Sequence, residues 1–101
     1  MSDSQPITGC RPGDVAERVF LCGDPARVGR IAEGWSGRRS VCEVREYRIE
    51  TGELDGVPVS AASTGIGAPS TAILVEELAK LGARNVTDIV KYCLRNRLIE
   101  I

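Results

Sequence analysis

Residues 57–82 limit what this chain can fold into more than any other stretch. They read VPVSAASTGIGAPSTAILVEELAKLG. Val57, Val59 and the run to Ala62 are small, apolar and partly β-branched, which suits a buried strand. Ser63-Thr64-Gly65-Ile66-Gly67-Ala68-Pro69-Ser70 follows as a loop. Beyond Pro69 the period changes. Ala72, Ile73, Val75, Leu78, Ala79 and Leu81 recur at three- and four-residue steps, which predicts a helix with one apolar face. Glu76 and Glu77 are assigned to its wet face. Pro69 suits a first turn and Gly82 a stop. Strand, glycine loop and helix make half of a βαβ unit. The unpaired N–H groups at such a helix start carry partial positive charge, so an anion or a sugar hydroxyl is a natural guest. Turn geometry alone can call for the same loop. It lacks the third glycine of a dinucleotide fingerprint and the Gly-Lys-Ser/Thr of a Walker A loop.

At 101 residues the chain has room for one small domain at most. Aromatic residues are only 4%, so the core must be aliphatic: a parallel or mixed sheet covered by helices. A formal net charge of −1 does not point to nucleic acid or an anionic membrane. No apolar run is long enough to span a bilayer, and residues 1–5 lack a signal peptide's hydrophobic region, so the expected compartment is the cytoplasm. Cys10, Cys22, Cys42 and Cys93 include no Cys-x-x-Cys pair, and histidine is absent. Zinc and a disulfide framework are therefore not expected, and Cys22 and Cys42 read as small buried hydrophobes. Without histidine, Ser-His and Cys-His nucleophile pairs are excluded.

In chain order, residues 1–13 are polar and broken by Pro6, Gly9, Pro12 and Gly13, and read as an arm or loop rather than a packed element. Arg18-Val19-Phe20-Leu21-Cys22 is a short apolar strand. Asp24 can cap the helix that follows, with Pro25 at its first position. That helix is predicted over residues 25–35, burying Val28, Ile31, Ala32 and Trp35. Residues 38–53 read as one extended strand, which would place Arg45 and Glu46 on opposite faces. Asp55-Gly56 then marks a hairpin, making residues 38–53 and 57–62 antiparallel neighbours. Beyond Gly82, residues 83–86 could open a third strand. From Thr87 to the end, helical spacing of Ile89, Val90, Cys93, Leu94, Leu98 and Ile101, with Asp88 and Lys91, favours a helix instead.

Two further features carry chemistry. Gly23-Asp24-Pro25-Ala26-Arg27 combines bare backbone at a strand end, a helix start and an arginine, which suits a phosphate. A capped helix with a solvated arginine would look the same. Arg45-Glu46-Tyr47 taken alone is a strand with one solvated charge.

Taken together, Gly23-Asp24-Pro25-x-Arg27-Val28, Arg45-Glu46-Tyr47, Glu53-Leu54-Asp55-Gly56-x-Pro58-Val59 and Ser63-Thr64-Gly65-Ile66-Gly67-x-Pro69-Ser70-Thr71, followed by Val75-Glu76-Glu77-Leu78, occur in order and at close spacing. From about Pro12 to Arg84 the chain resembles the nucleoside phosphorylases, and within them the uridine branch. The resemblance implies the N-terminal part of a three-layer α/β/α fold with a mixed sheet. It also implies phosphorolysis, in which phosphate attacks the anomeric carbon of a nucleoside and yields a base and a sugar 1-phosphate. By the same resemblance Gly23 donates a backbone N–H to phosphate and Arg27 a charged one. Arg45 reaches phosphate in a neighbouring subunit's site. Thr64, Gly65, Ile66 and Gly67 lie beside sugar and phosphate. Glu46, Ile66 and Ser70 match positions that can hold a monovalent cation such as potassium between subunits. The implied assembly is a homo-oligomer built from dimers, a hexamer in intact members.

The match also has a departure. Where the family continues into a buried strand with Arg-x-Gly-Thr or Arg-x-Gly-Ser, this chain has Asp88-Ile89-Val90-Lys91. The arginine and hydroxyl that complete the phosphate site are missing, as are the family's later base- and ribose-binding segments. The expected organisation is one incomplete domain: an arm over residues 1–13, a family-like core over 14–85, and a divergent tail over 86–101, as a truncation or altered reading frame would produce. No catalytic residue is assignable, and the chain alone is expected to be inactive. The alternative is a non-catalytic fragment that binds anions or assembles with other subunits.

Overall fold

The computed structural model describes residues 4–65 and 67–88. Seven elements follow in order: β1 (Arg18–Cys22), α1 (Pro25–Ile31), β2 (Ser36–Val44), β3 (Tyr47–Leu54), β4 (Val57–Ser63), α2 (Ala68–Lys80) and β5 (Asn85–Asp88). The strands form one mixed sheet in the order β2-β3-β4-β1-β5. β1 runs parallel to β4 and β5, while β2–β3 and β3–β4 are antiparallel.

The period-two rule sorts the strand residues onto two faces. Phe20 and Cys22 of β1 and Val59 and Ala61 of β4 face α1, where Val28, Ala32 and Trp35 complete a cluster with Ile31 against it. Val19 and Leu21 of β1, Ile49 of β3 and Ala62 of β4 face the other way, toward Leu74, Leu78 and Leu81. The result is three layers, as the sequence predicts. β1 has its predicted bounds, and α1 begins as expected, with Asp24 accepting a hydrogen bond from the Ala26 N–H at 2.9 Å and Pro25 in the first turn. The helix stops at Ile31, short of the predicted Trp35, but Trp35 is still buried against it.

Several expectations are corrected. Residues 38–53 are not one strand. They form β2 and β3, joined at Arg45-Glu46, with Arg45 at φ +55°. β3 then meets β4 through Asp55-Gly56, where φ is positive at both residues, as an Asp-Gly hairpin turn requires. On α2 the buried residues are Leu74, Glu77 and Leu78, continued by Leu81 just past its end, whereas Ile73 and Val75 are exposed. Leu78 and Leu81 are buried as expected, but apolar residues nearly encircle this helix, so periodicity alone also assigned Ile73 and Val75 to the buried face. Residues 85–88 form a strand: Thr87 pairs with Phe20 and Asp88 with Leu21, so helix does not begin at Thr87. The helical spacing read over residues 89–101 lies outside the described residues.

The arm is also packed, not loose. Thr8 and Cys10 are buried, and Glu77, expected on the wet face of α2, is 6% exposed. Its two carboxylate oxygens accept the backbone N–H groups of Ile7 and Thr8, each at 2.9 Å. A buried carboxylate persists because backbone donors replace its water. Glu77→Ala leaves both donors unpaired and should cost about 2 kcal/mol. Hydrogen exchange would show lost protection at Ile7 and Thr8, with the sheet amides keeping theirs.

Candidate active site

β1 and β4 are adjacent and parallel, and their following helices leave to opposite faces of the sheet. A crevice must open where the two connections diverge, beyond the carboxyl ends of the strands; ligands of open α/β sheets bind there. Here the crevice is a cleft of about 710 Å³ lined by Gly23, Asp24, Pro25, Arg27, Glu46 and Gly65. The two loops are stitched together at its base. Thr64 N–H donates to the Cys22 carbonyl at 2.8 Å and Gly65 N–H to the Gly23 carbonyl at 3.0 Å.

Gly23, Arg27 and Gly65, far apart in sequence, thus share one cleft, and Thr64 and Gly67 flank Gly65 in the same loop. Arg27 is exposed and makes no side-chain hydrogen bond or ion pair among the described residues, so its charge is available to a ligand. Ile66 lies outside the described residues.

Glu46 is placed by the unforeseen hairpin. The turn after β2 folds it back over the β4–α2 loop, and Ser70 Oγ in the first turn of α2 donates to Glu46 Oε1 at 3.0 Å. The surrounding bonds fix that position: Ser63 Oγ donates to the Glu46 carbonyl at 2.6 Å, Arg48 N–H to Ser63 Oγ at 2.7 Å, and Tyr47 Oη to the Ser70 carbonyl at 2.9 Å. Gly65 sits beneath Glu46 at φ +73°, and a Cβ there would lie 2.8 Å from Glu46 Cβ. Glycine is needed twice over, for the backbone angle and for the close approach. Of the three residues expected to hold a cation, Glu46 and Ser70 are therefore in contact. Arg45, at the apex of the turn, is exposed and outside the cleft lining. Tyr47 and Ser63 belong to the site's support and were not foreseen; the Ser63 hydroxyl at a buried strand end is the signal that could have marked it.

This geometry is that of a cleft at the carboxyl end of the sheet, and the chain has known relatives. The Phosphorylase superfamily matches residues 17–91, and the chain belongs to that family. It is 57% identical over 74 residues to a uridine phosphorylase of Thermococcus kodakarensis, covering 73% of this chain and 27% of the relative. A uridine phosphorylase of Treponema pallidum is 49% identical over 82 residues, covering 81% and 32%. The solved uridine phosphorylase of Vibrio fischeri superposes with a TM-score of 0.80 at 42% identity, over 83% of this chain and 35% of that one. A purine nucleoside phosphorylase of Toxoplasma gondii, solved with immucillin-H, gives 0.79 at 38% over 83% and 34%. The chain thus spans about a quarter to a third of the relatives it matches. Among the described residues no helix is long and apolar enough to cross a membrane.

Proposed function

We propose that this chain supplies part of the phosphate site of a nucleoside phosphorylase of the uridine type, an enzyme that uses phosphate to cleave a nucleoside to base and (deoxy)ribose 1-phosphate in cytoplasmic nucleoside catabolism and salvage. One observation carries the reading: Gly23, Arg27 and Gly65 converge on a single cleft at the carboxyl ends of two parallel strands. The reaction passes through an oxocarbenium-like transition state. The site must hold phosphate, strip its water and aim one oxygen at the anomeric carbon. Gly23 N–H and Arg27 hold the anion from one side. The β4–α2 loop at Thr64, Gly65, Ile66 and Gly67 borders the sugar. Arg45 stands on a turn apex, outside its own cleft, where it reaches a neighbouring subunit's phosphate in a dimer-based oligomer. Glu46 and Ser70 present hard oxygen atoms 3.0 Å apart. With the Ile66 carbonyl they would hold a potassium ion at that interface, neutralising the carboxylate beside the anion.

The 101 residues alone should turn over no nucleoside, because they span about a quarter to a third of the relatives' length and have Asp88-Ile89-Val90-Lys91 where the resemblance expects the arginine that completes the phosphate site. The test is therefore a chimera. Residues 17–84 replace the matching segment of the Thermococcus kodakarensis relative, and phosphate-dependent uracil release from uridine is followed. Activity within about tenfold of the parent supports the reading. A folded chimera that binds uridine but no longer responds to phosphate contradicts it.

A further inference from the structure

Two cysteines that the cleft does not use meet on the far side of the sheet from α1. Cys10 lies in the arm and Cys42 near the end of β2, both buried in one cluster, at 0% and 5% exposure. Each thiol is the leading influence on the other's ionisation. Cys10 Sγ lies 3.5 Å from the carbonyl of Val41, the residue before Cys42, and Cys42 Sγ lies 3.6 Å from the Tyr47 carbonyl. Cys22 belongs to the cluster on the opposite face of the sheet.

We propose that Cys10 and Cys42 are an oxidative modification site: a peroxide converts them to an intrachain disulfide that fastens the arm to β2. They share one buried cluster, with Cys10 Sγ 3.5 Å from the carbonyl of the residue before Cys42, so a bond between them needs no change of fold, and Cys22 belongs to the cluster on the other face of the sheet. The pair is also asymmetric. The neighbouring Cys42 holds the Cys10 thiol below its usual range, while Cys10 and burial push the Cys42 thiol up. Cys10 is therefore the nucleophile. Its thiolate attacks one oxygen of hydrogen peroxide, the O–O bond breaks, and hydroxide leaves to take up a proton as water. Cys10 is then a sulfenic acid. Cys42 sulfur attacks Cys10 Sγ, the S–O bond breaks, and the departing hydroxide takes the Cys42 proton. Two thiols are oxidised and one peroxide is reduced to two waters.

The arm already holds α2 through Ile7, Thr8 and Glu77. The new bond would tie the same arm to β2 and close a loop around β1 and α1. Closing a loop of that length should raise the melting temperature by roughly 10 °C or more. The experiment treats the folded full chain with hydrogen peroxide, alkylates remaining thiols after denaturation, and maps linked peptides by mass spectrometry. The expected result is a Cys10–Cys42 peptide pair and the upward shift in melting temperature, both reversed by dithiothreitol. Cys22→Ser should leave link and shift intact. Cys42→Ser should abolish both and leave Cys10 as the sulfenic acid or a higher oxide. Alkylation of both Cys10 and Cys42 in the treated protein would overturn the proposal. So would links only between chains or through Cys22, or a link that forms only in denaturant.

Discussion

Glu50→Ala should lower folding stability by about 3 kcal/mol, roughly 12 °C or more in melting temperature, without touching the cleft. Glu50 is on the α1 face of β3 and only 4% exposed. Its carboxylate accepts from Arg38 Nε at 2.5 Å and Arg48 Nη2 at 2.9 Å. A Cβ on Gly29 of α1 would sit 3.4 Å from Nη2 of each arginine, so the helix passes directly over the trio. Without the carboxylate, two guanidinium groups face each other beneath α1, and Arg48 Nε already lacks a partner among the described residues. The figure lies at the low end for a broken buried pair because both arginine side chains keep about a third of their surface in water.

The same group sets an acid limit. The hydrogen bond from Arg38 comes first among the causes that hold the Glu50 carboxyl below the usual range, outweighing burial. A carboxylate depressed on folding stabilises fully above its unfolded pKa, about 4.3. That contribution disappears as pH falls through the lower folded value. Melting temperature should therefore drop between about pH 4 and the folded value, and Glu50→Gln should flatten that limb. An unchanged acid limb in Glu50→Gln would show that the pair does not govern it.

Arg27→Ala carries the second large effect. In the chimera it should reduce kcat/KM for phosphate by about 100-fold or more, close to 3 kcal/mol, with the KM for uridine little changed. Arg27 is the cation lining the cleft, and its side chain forms no bond among the described residues that would have to break before it could bind phosphate. Its loss should leave stability nearly intact, since an exposed, unpaired side chain contributes little to folding. Arg27→Lys should recover part of the activity, keeping the charge but losing the two-pronged donor geometry. Equal losses for uridine and phosphate would instead indicate a collapsed loop.

How far the sequence reveals this molecule differs from element to element. β1, the N-cap of α1, the Asp55-Gly56 hairpin and the β4-loop-α2 unit follow from local patterns, because strand period, N-cap and turn chemistry are all short-range. The Arg45-Glu46 turn does not, since neither residue is a turn former and Arg45 takes a positive φ without glycine. Its trace is a change of phase: Cys42 points inward at an even number, Tyr47 and Ile49 at odd ones. That hidden turn placed Glu46 over Gly65, so the cleft's composition was legible only through the combined motifs. Glu77 was misassigned for a related reason. Its partners are two backbone N–H groups of the arm, 70 and 69 residues away, and no local pattern records them. Strand β5 shows tertiary pairing with β1 overruling a helical pattern that continues past it.

Isotope-labelled full chain titrated with inorganic phosphate at constant ionic strength tests the central claim most directly. Backbone amide resonances of Gly23, Arg27 and Gly65 should move together and saturably, and Arg27→Ala should abolish the response. Shifts absent from those three amides, or undiminished in Arg27→Ala, would contradict the assignment of this cleft as a phosphate site.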